Sequence, residues 1–256
     1  MPLPGSLAFD LGGYPNLPFR TAAEVINLAA NEVGLAEVAD PYASTDPAFI
    51  QLRTFLAKVG NQLRRRYAWS HLRATHTITT VLNQMSYALP ADFGSMVDQT
   101  GWNRSTSLPL SGPATAQQWH TVLGQGASAN TIDVWFRPFQ AQFQLAGSTV
   151  SAGQTLTFEY TSRWWVAPQG EETPTTDTPT AATDVLWFEP DLLVDALVRL
   201  FTARKGFDTT DVDAQLQQTL SEVIGADSPA PILSLYPRTG IRWIDERNIP
   251  DVVGED

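Results

Sequence analysis

Few side chains in this sequence have the type and spacing that chemistry needs. The three histidines, His71, His76 and His120, include no pair three or four residues apart, so none shares a helix face with another as metal ligands do. There is no cysteine, which removes thiolate metal sites and disulfides. Neither a Gly-x-Ser-x-Gly nucleophile turn nor a Gly-Lys-Ser/Thr phosphate loop occurs. Asp92 with Asp98 or Glu159 would suit the paired carboxylates of a glycan hydrolase. Asp92, however, follows Leu89-Pro90, where a carboxylate more commonly closes a turn or caps a helix. Glu159 falls on the polar side of an alternating segment, where solvation is its ordinary use.

The remaining candidates point to recognition rather than to bond making. Arg64, Arg65 and Arg66 end a long apolar-striped segment. There they complement a helix dipole, or form a patch for an acidic partner or a phosphate. Trp164 and Trp165 are adjacent in an extended segment and must point to opposite faces. One is expected in a core, and the other at an interface or as a platform for a sugar. The C-terminal stretch combines Pro229, Pro231, Pro237 and Pro250 with Leu235, Tyr236, Ile241, Trp243 and Ile244. Exposed together, those apolar residues mark an interaction site, with Arg247 among the charges able to fix its register.

These residues must be positioned by a chain of 256 residues with 43% hydrophobic and 10% aromatic content, ample for a packed core. No run approaches the roughly 18 apolar residues that span a bilayer. Met1-Pro-Leu-Pro-Gly5 has no basic region or apolar core of a secretion signal, so export is not expected. The net charge of −11 disfavours a free-standing reader of duplex DNA. It is compatible with a wall around DNA that does not hold it.

Taken in order, residues 1–20 read as an N-terminal arm. Thr21-x-x-Glu24 is a capping box that opens a first helix, closed by Gly34. Asp46-Pro47 starts a second helix, expected to run to about Trp69, with Phe49, Leu52, Leu56, Val59 and Leu63 as its stripe. From Ala74 the period becomes two, and a hairpin through Asn83-Gln84 to Ser86–Leu89 is expected. Thr115-x-x-Gln118 opens a short helix ended by Gly124. Leu156, Phe158 and Tyr160 form one face of a half-buried strand. Residues 167–185, rich in Thr, Pro and acids, read as a flexible loop. Two further helices begin near Pro190 and Thr210, and the first is stopped by Gly206.

The expected fold is therefore α+β. A helical bundle of about four helices is built from residues 21–72 and 186–226, with an antiparallel β domain, residues 73–166, inserted in it. The loop 167–185 and an extended C-terminal arm, residues 227–256, complete the chain.

The order of motifs carries a resemblance. Tyr87-Ala-Leu-Pro-Ala-Asp-Phe93 is followed by Gly101-Trp-Asn-Arg104, then Leu108-Pro-Leu-Ser-Gly-Pro113, then a short helix bearing Trp119. The series closes on Phe158-Glu-Tyr-Thr-Ser162 and Trp164-Trp165. With its helical flanks, roughly residues 21–250, this order resembles the head-to-tail adaptor (connector, or tail tubular) proteins of short-tailed bacteriophages. The resemblance implies a non-enzymatic virion component of the neck or tail, made in the host cytoplasm, with no cofactor and no metal. It implies a ring, usually of twelve copies, that binds the portal protein and the next tail component. DNA would pass through its channel without sequence-specific binding. It also implies that Leu235, Tyr236, Ile241, Trp243, Ile244 and Arg247 meet the portal or a neighbouring subunit. Two other readings stand beside it. A fibre module that binds carbohydrate or protein would be trimeric, and a cell-wall glycan hydrolase would cleave peptidoglycan or polysaccharide.

Overall fold

A computed structural model describes residues 19–125, 134–146 and 152–227. It is α+β, with five α-helices and only antiparallel pairing between named strands among those residues. Most of the N-terminal arm, and the C-terminal arm beyond Asp227, lie outside the described residues.

Helix α1 (Ala22–Glu32) begins at the expected capping box. The Thr21 hydroxyl accepts from the Glu24 amide at 3.3 Å, and the Glu24 carboxylate accepts from the Thr21 amide at 3.0 Å. Helix α2 (Pro47–Arg66) begins with Asp46 accepting from the Ala48 amide at 2.8 Å and with proline at its first position. All five residues of its predicted stripe are buried. The helix stops at Arg66 rather than near Trp69. Tyr67 turns extended there, and Trp69 folds back so that its Nε1 donates to the Leu63 carbonyl at 2.9 Å. A 3₁₀ turn, Ser70–Leu72, leads into the sheets.

After the sheets, α4 (Pro190–Lys205) ends at Gly206, whose φ of 80° a side-chain-bearing residue rarely adopts. Helix α5 (Thr210–Asp227) follows. Helix α4 lies against α1, α2 and α5, and all four contribute to one continuous apolar core.

Residues 73–162 carry eight strands and α3 (Ala116–Gln125). The central strand is β9 (Thr155–Ser162). Along one edge it pairs through seven residues with β2 (Arg73–Thr79). It also pairs with β4 (Phe93–Met96) and β5 (Trp102–Asn103), and β6 (Leu108–Pro109) follows β5. A separate sheet has the order β3 (Ser86–Ala88), β8 (Gln142–Ala146), β7 (Trp135–Phe139). Leu156, Phe158 and Tyr160 are buried as predicted and join Phe136 and Phe143 in a second core. The Phe143 and Phe158 rings stack across the two sheets at 4.8 Å between centroids.

Two expectations are corrected. The hairpin through Asn83-Gln84 does not form, because β2 pairs with β9 and β3 with β8. Strand β2 has seven residues to match with β9 and only three in β3, so the longer ladder wins.

The second correction concerns residues 167–185. Here β10 (Val166–Ala167) and β11 (Val185–Leu186) pair, and β1 (Arg20–Thr21) adds to β11. The connecting chain is tied down as well. Asn61 donates to the Asp177 carbonyl at 3.0 Å and Tyr42 to the Pro179 carbonyl at 3.4 Å. Most of its threonines are exposed, but the carbonyls of Asp177, Ala182 and Asp184 accept from residues of α1 and α2.

Candidate interaction surfaces

Two clefts lie where the helices meet the sheets. The first, about 490 Å³, is lined by Arg64, Arg65, Arg66 and Tyr67 from the end of α2 and by Gly94, Ser95 and Thr161 from β4 and β9. Arg65 Nε donates to the Asn61 carbonyl at 2.9 Å and Arg66 to the Gln217 side chain at 3.3 Å. Arg64 Nε is buried with no partner among the described residues. Burial lowers its pKa, and the neighbouring charges of Arg65 and Arg163 lower it further, while Asp177 opposes them.

Gly94 lets β4 lie close against β9 beside the Arg64 guanidinium. A Cβ at that position would stand 2.7 Å from the Thr161 carbonyl oxygen and 3.3 Å from Arg64 Nη1. The cleft thus gathers guanidinium forks whose charges repel one another, a preference for an oxyanion. Sequence reasoning placed the arginines at a helix end. The walls that β4 and β9 supply carried no sequence signal.

The second cleft, about 560 Å³, is lined by residues that include His71, Arg73, Asp92, Trp164, Pro174 and Trp187. The expected split of the tryptophan pair holds: Trp165 is 0% exposed, and Trp164 is half-buried on the cleft. His71 sits among the rings of Phe19, Trp69 and Phe188. Its Nε2 is buried without a partner among the described residues. Burial pushes its pKa below the ordinary value, against the Asp227 charge and a hydrogen bond with the Trp187 backbone. A lowered folded pKa means the unfolded chain binds more protons once pH falls below about 6.5. Stability should therefore decline below that pH, by up to about 1.4 kcal/mol per unit. Comparing wild type with His71→Gln in denaturant at pH 7.5 and 5.5 checks this: the variant should lose less stability on acidification.

The other sequence candidates are dispersed. Asp92 accepts from the Tyr160 hydroxyl at 2.9 and 3.0 Å through its two carboxylate oxygens. Burial and that carboxylate both raise the Tyr160 pKa. Glu159 leaves β9 on the face opposite Tyr160, so the strand separates it from Asp92. Asp98 is exposed in the turn after β4. His76 packs edge-on against Phe158, and His120 is exposed on α3. Among the described residues no cluster of three or more His, Asp or Glu side chains could hold a metal ion. No helix among them is long and apolar enough to cross a membrane. Leu235, Tyr236, Ile241, Trp243, Ile244 and Arg247 lie outside the described residues.

By comparison with known families, the chain is a phage adaptor, a structural component of the virion. A family model described as SU10 adaptor protein matches residues 20–233, and the chain belongs to that family. The match takes in every described helix and strand, from β1 to α5. Among curated proteins, none matches the chain.

Proposed function

We propose that this protein is a non-enzymatic head-to-tail adaptor whose copies form a ring, twelve in number, between the portal and the next tail component. In this reading residues 21–72 and 186–226 are the helical bundle, residues 73–166 are its inserted β domain, and DNA passes through the ring without being read. The carrying observation is the adaptor-family match over residues 20–233. The C-terminal arm, residues 227–256, anchors on the portal or a neighbouring copy through Leu235, Tyr236, Ile241, Trp243, Ile244 and Arg247. The Arg64–Arg66 cleft receives carboxylates of an acidic protein surface. A net charge of −11 supports a channel wall to which DNA does not adhere.

Native mass measured with and without portal rings tests the reading. The free protein should be monomeric, and addition of portal rings should give a complex carrying a second ring. A free trimer, or failure to bind portal rings, would overturn it. The same preparation should bind duplex DNA weakly and without sequence preference at physiological salt.

A further inference from the structure

The connection between β10 and β11 carries a small acidic projection. Val166 bridges to Thr176, and the Thr175 amide donates to the Val166 carbonyl at 3.0 Å. The Glu171 amide donates to the Pro168 carbonyl at 3.0 Å, and Gly170 closes the turn at a φ of 92°. These bonds present residues 169–173 as a short tip, exposed throughout. Glu171 and Glu172 are the only adjacent acids among the described residues, and neither carboxylate has a partner there.

The arginine cleft is the opposite kind of surface. It is concave, about 490 Å³, with Arg64, Arg65 and Arg66 on one wall and Gly94, Ser95 and Thr161 on the other. None of the three arginines is in an ion pair among the described residues. Arg163 adds a fourth positive charge near Arg64. Guanidinium forks crowded this way repel one another, and each is shaped to take a carboxylate.

A ring needs a heterologous contact, in which two different surfaces of one subunit each meet the other kind on a neighbour. The convex acidic tip and the concave basic cleft are such a pair, and they stay unjoined within one copy. Other exposed acids suit the cleft less well. Asp208 is engaged by Thr210, and Asp213 by Thr209 and Arg199. Asp211 and Glu222 lie along α5 rather than at a projecting turn.

We propose that the Glu171–Glu172 tip of one copy seats in the Arg64–Arg66 cleft of the next. The proposal rests on the ring reading above and names the acidic surface that the cleft receives. Both partners lie at the surface, so salt screens the contact, which sets the order and register of assembly more than its strength.

Assembly on portal rings, followed by native mass at low salt, tests it. Arg65→Glu with Arg66→Glu should raise the protein concentration needed for a complete second ring at least tenfold. Glu171→Arg with Glu172→Arg should do the same. All four changes in one chain should return it to within about threefold of wild type. A gentler pair of variants checks proximity. Lys58 and Lys205 are the only lysines, so few amines compete in carbodiimide coupling. A chain carrying Arg65→Lys, Glu171→Gln and Glu172→Gln can supply the amine but not these acids. Mixed with wild type on portal rings, it should couple through position 65 to Glu171 or Glu172 of the other copy. Failure of the wild type to add a second ring would overturn the ring reading and this proposal with it. A wild-type ring without that coupling, or a fourfold variant no better than either pair, would overturn the proposal alone. So would normal assembly of the Glu171→Arg, Glu172→Arg variant while the arginine variant fails, since another acid or a phosphate would then fill the cleft.

Discussion

Gly60→Ala is expected to destabilise the protein by about 3 kcal/mol, although glycine to alanine within a helix ordinarily gains up to about 1 kcal/mol. The reversal comes from one ring. A Cβ on Gly60 would stand 2.1 Å from Trp165 Cζ2 and 2.2 Å from Cη2, far inside van der Waals contact. Trp165 is fully buried and packs against Phe188, so the indole has no free space to enter. Its Nε1 has no hydrogen-bond partner among the described residues, so packing against α2 is what sets the ring. The alternatives are to shift α2 away from the core or to push the indole off its rotamer, and both loosen the shared apolar core. Thermal melts should show a loss of roughly 6–12 °C for a chain of this size. Trp165→Leu should cost stability alone through the cavity it leaves, yet Gly60→Ala combined with it should cost less than the sum. A melting temperature equal to wild type for Gly60→Ala would show that the indole is not wedged on the helix.

That contact also marks the limit of what the sequence discloses. The stripe of α2 and its Asp46-Pro47 start are local patterns, and the structure follows them. The alternation of Leu156, Phe158 and Tyr160 is local too. Gly60 reads locally as a mild helix weakener, because its partner is more than a hundred residues away in the chain. Asn83-Gln84 carried a turn signal that the structure honours, with Asn83 at a φ of 63°. The turn joins two strands that pair elsewhere, since the ladder between β2 and β9 closes over some eighty residues that no window samples. The β7–β8 turn is the opposite case. Gln140 and Ala141 both adopt positive φ, 49° and 57°, without the glycine or asparagine that normally announces such a turn. At the first candidate surface the arginines were legible because three in a row at a helix end are conspicuous. The cleft was not, since Gly94 and Thr161 become its walls only through the pairing of β4 with β9. At the second, the adjacent tryptophans were legible by strand alternation, whereas His71 and Trp187 acquire meaning only from the fold.

Asp184→Ala should be nearly as damaging as the change at Gly60, on the order of 3 kcal/mol. Composition alone would put this aspartate in a dispensable loop. Its side chain is 2% exposed and accepts from the Thr180 amide at 2.7 Å and the Ala181 amide at 2.9 Å. Hydrogen bonds to a charged group contribute about 1.5–3 kcal/mol each, and the stranded amides would add their own desolvation cost. The turn that Asp184 closes has a second task. The Ala22 amide donates to the Asp184 carbonyl at 2.8 Å, and the Ala23 amide to the Ala182 carbonyl at 3.0 Å. Those amides belong to the first turn of α1, where no intrahelical acceptor exists. One carboxylate therefore shapes the segment that completes a helix N-terminus and delivers β11 to β1 and β10. Replacing residues 168–183 by a Gly-Ser linker should cost at least as much as the single change, because neither the amides that Asp184 accepts from nor the carbonyl that Ala23 uses would be held in place. Equilibrium denaturation of Asp184→Ala, Asp184→Asn and the linker variant orders these effects. Asparagine, which keeps an acceptor oxygen without the charge, should fall between wild type and alanine. A linker variant as stable as wild type would show that neither the turn nor its carbonyls support α1.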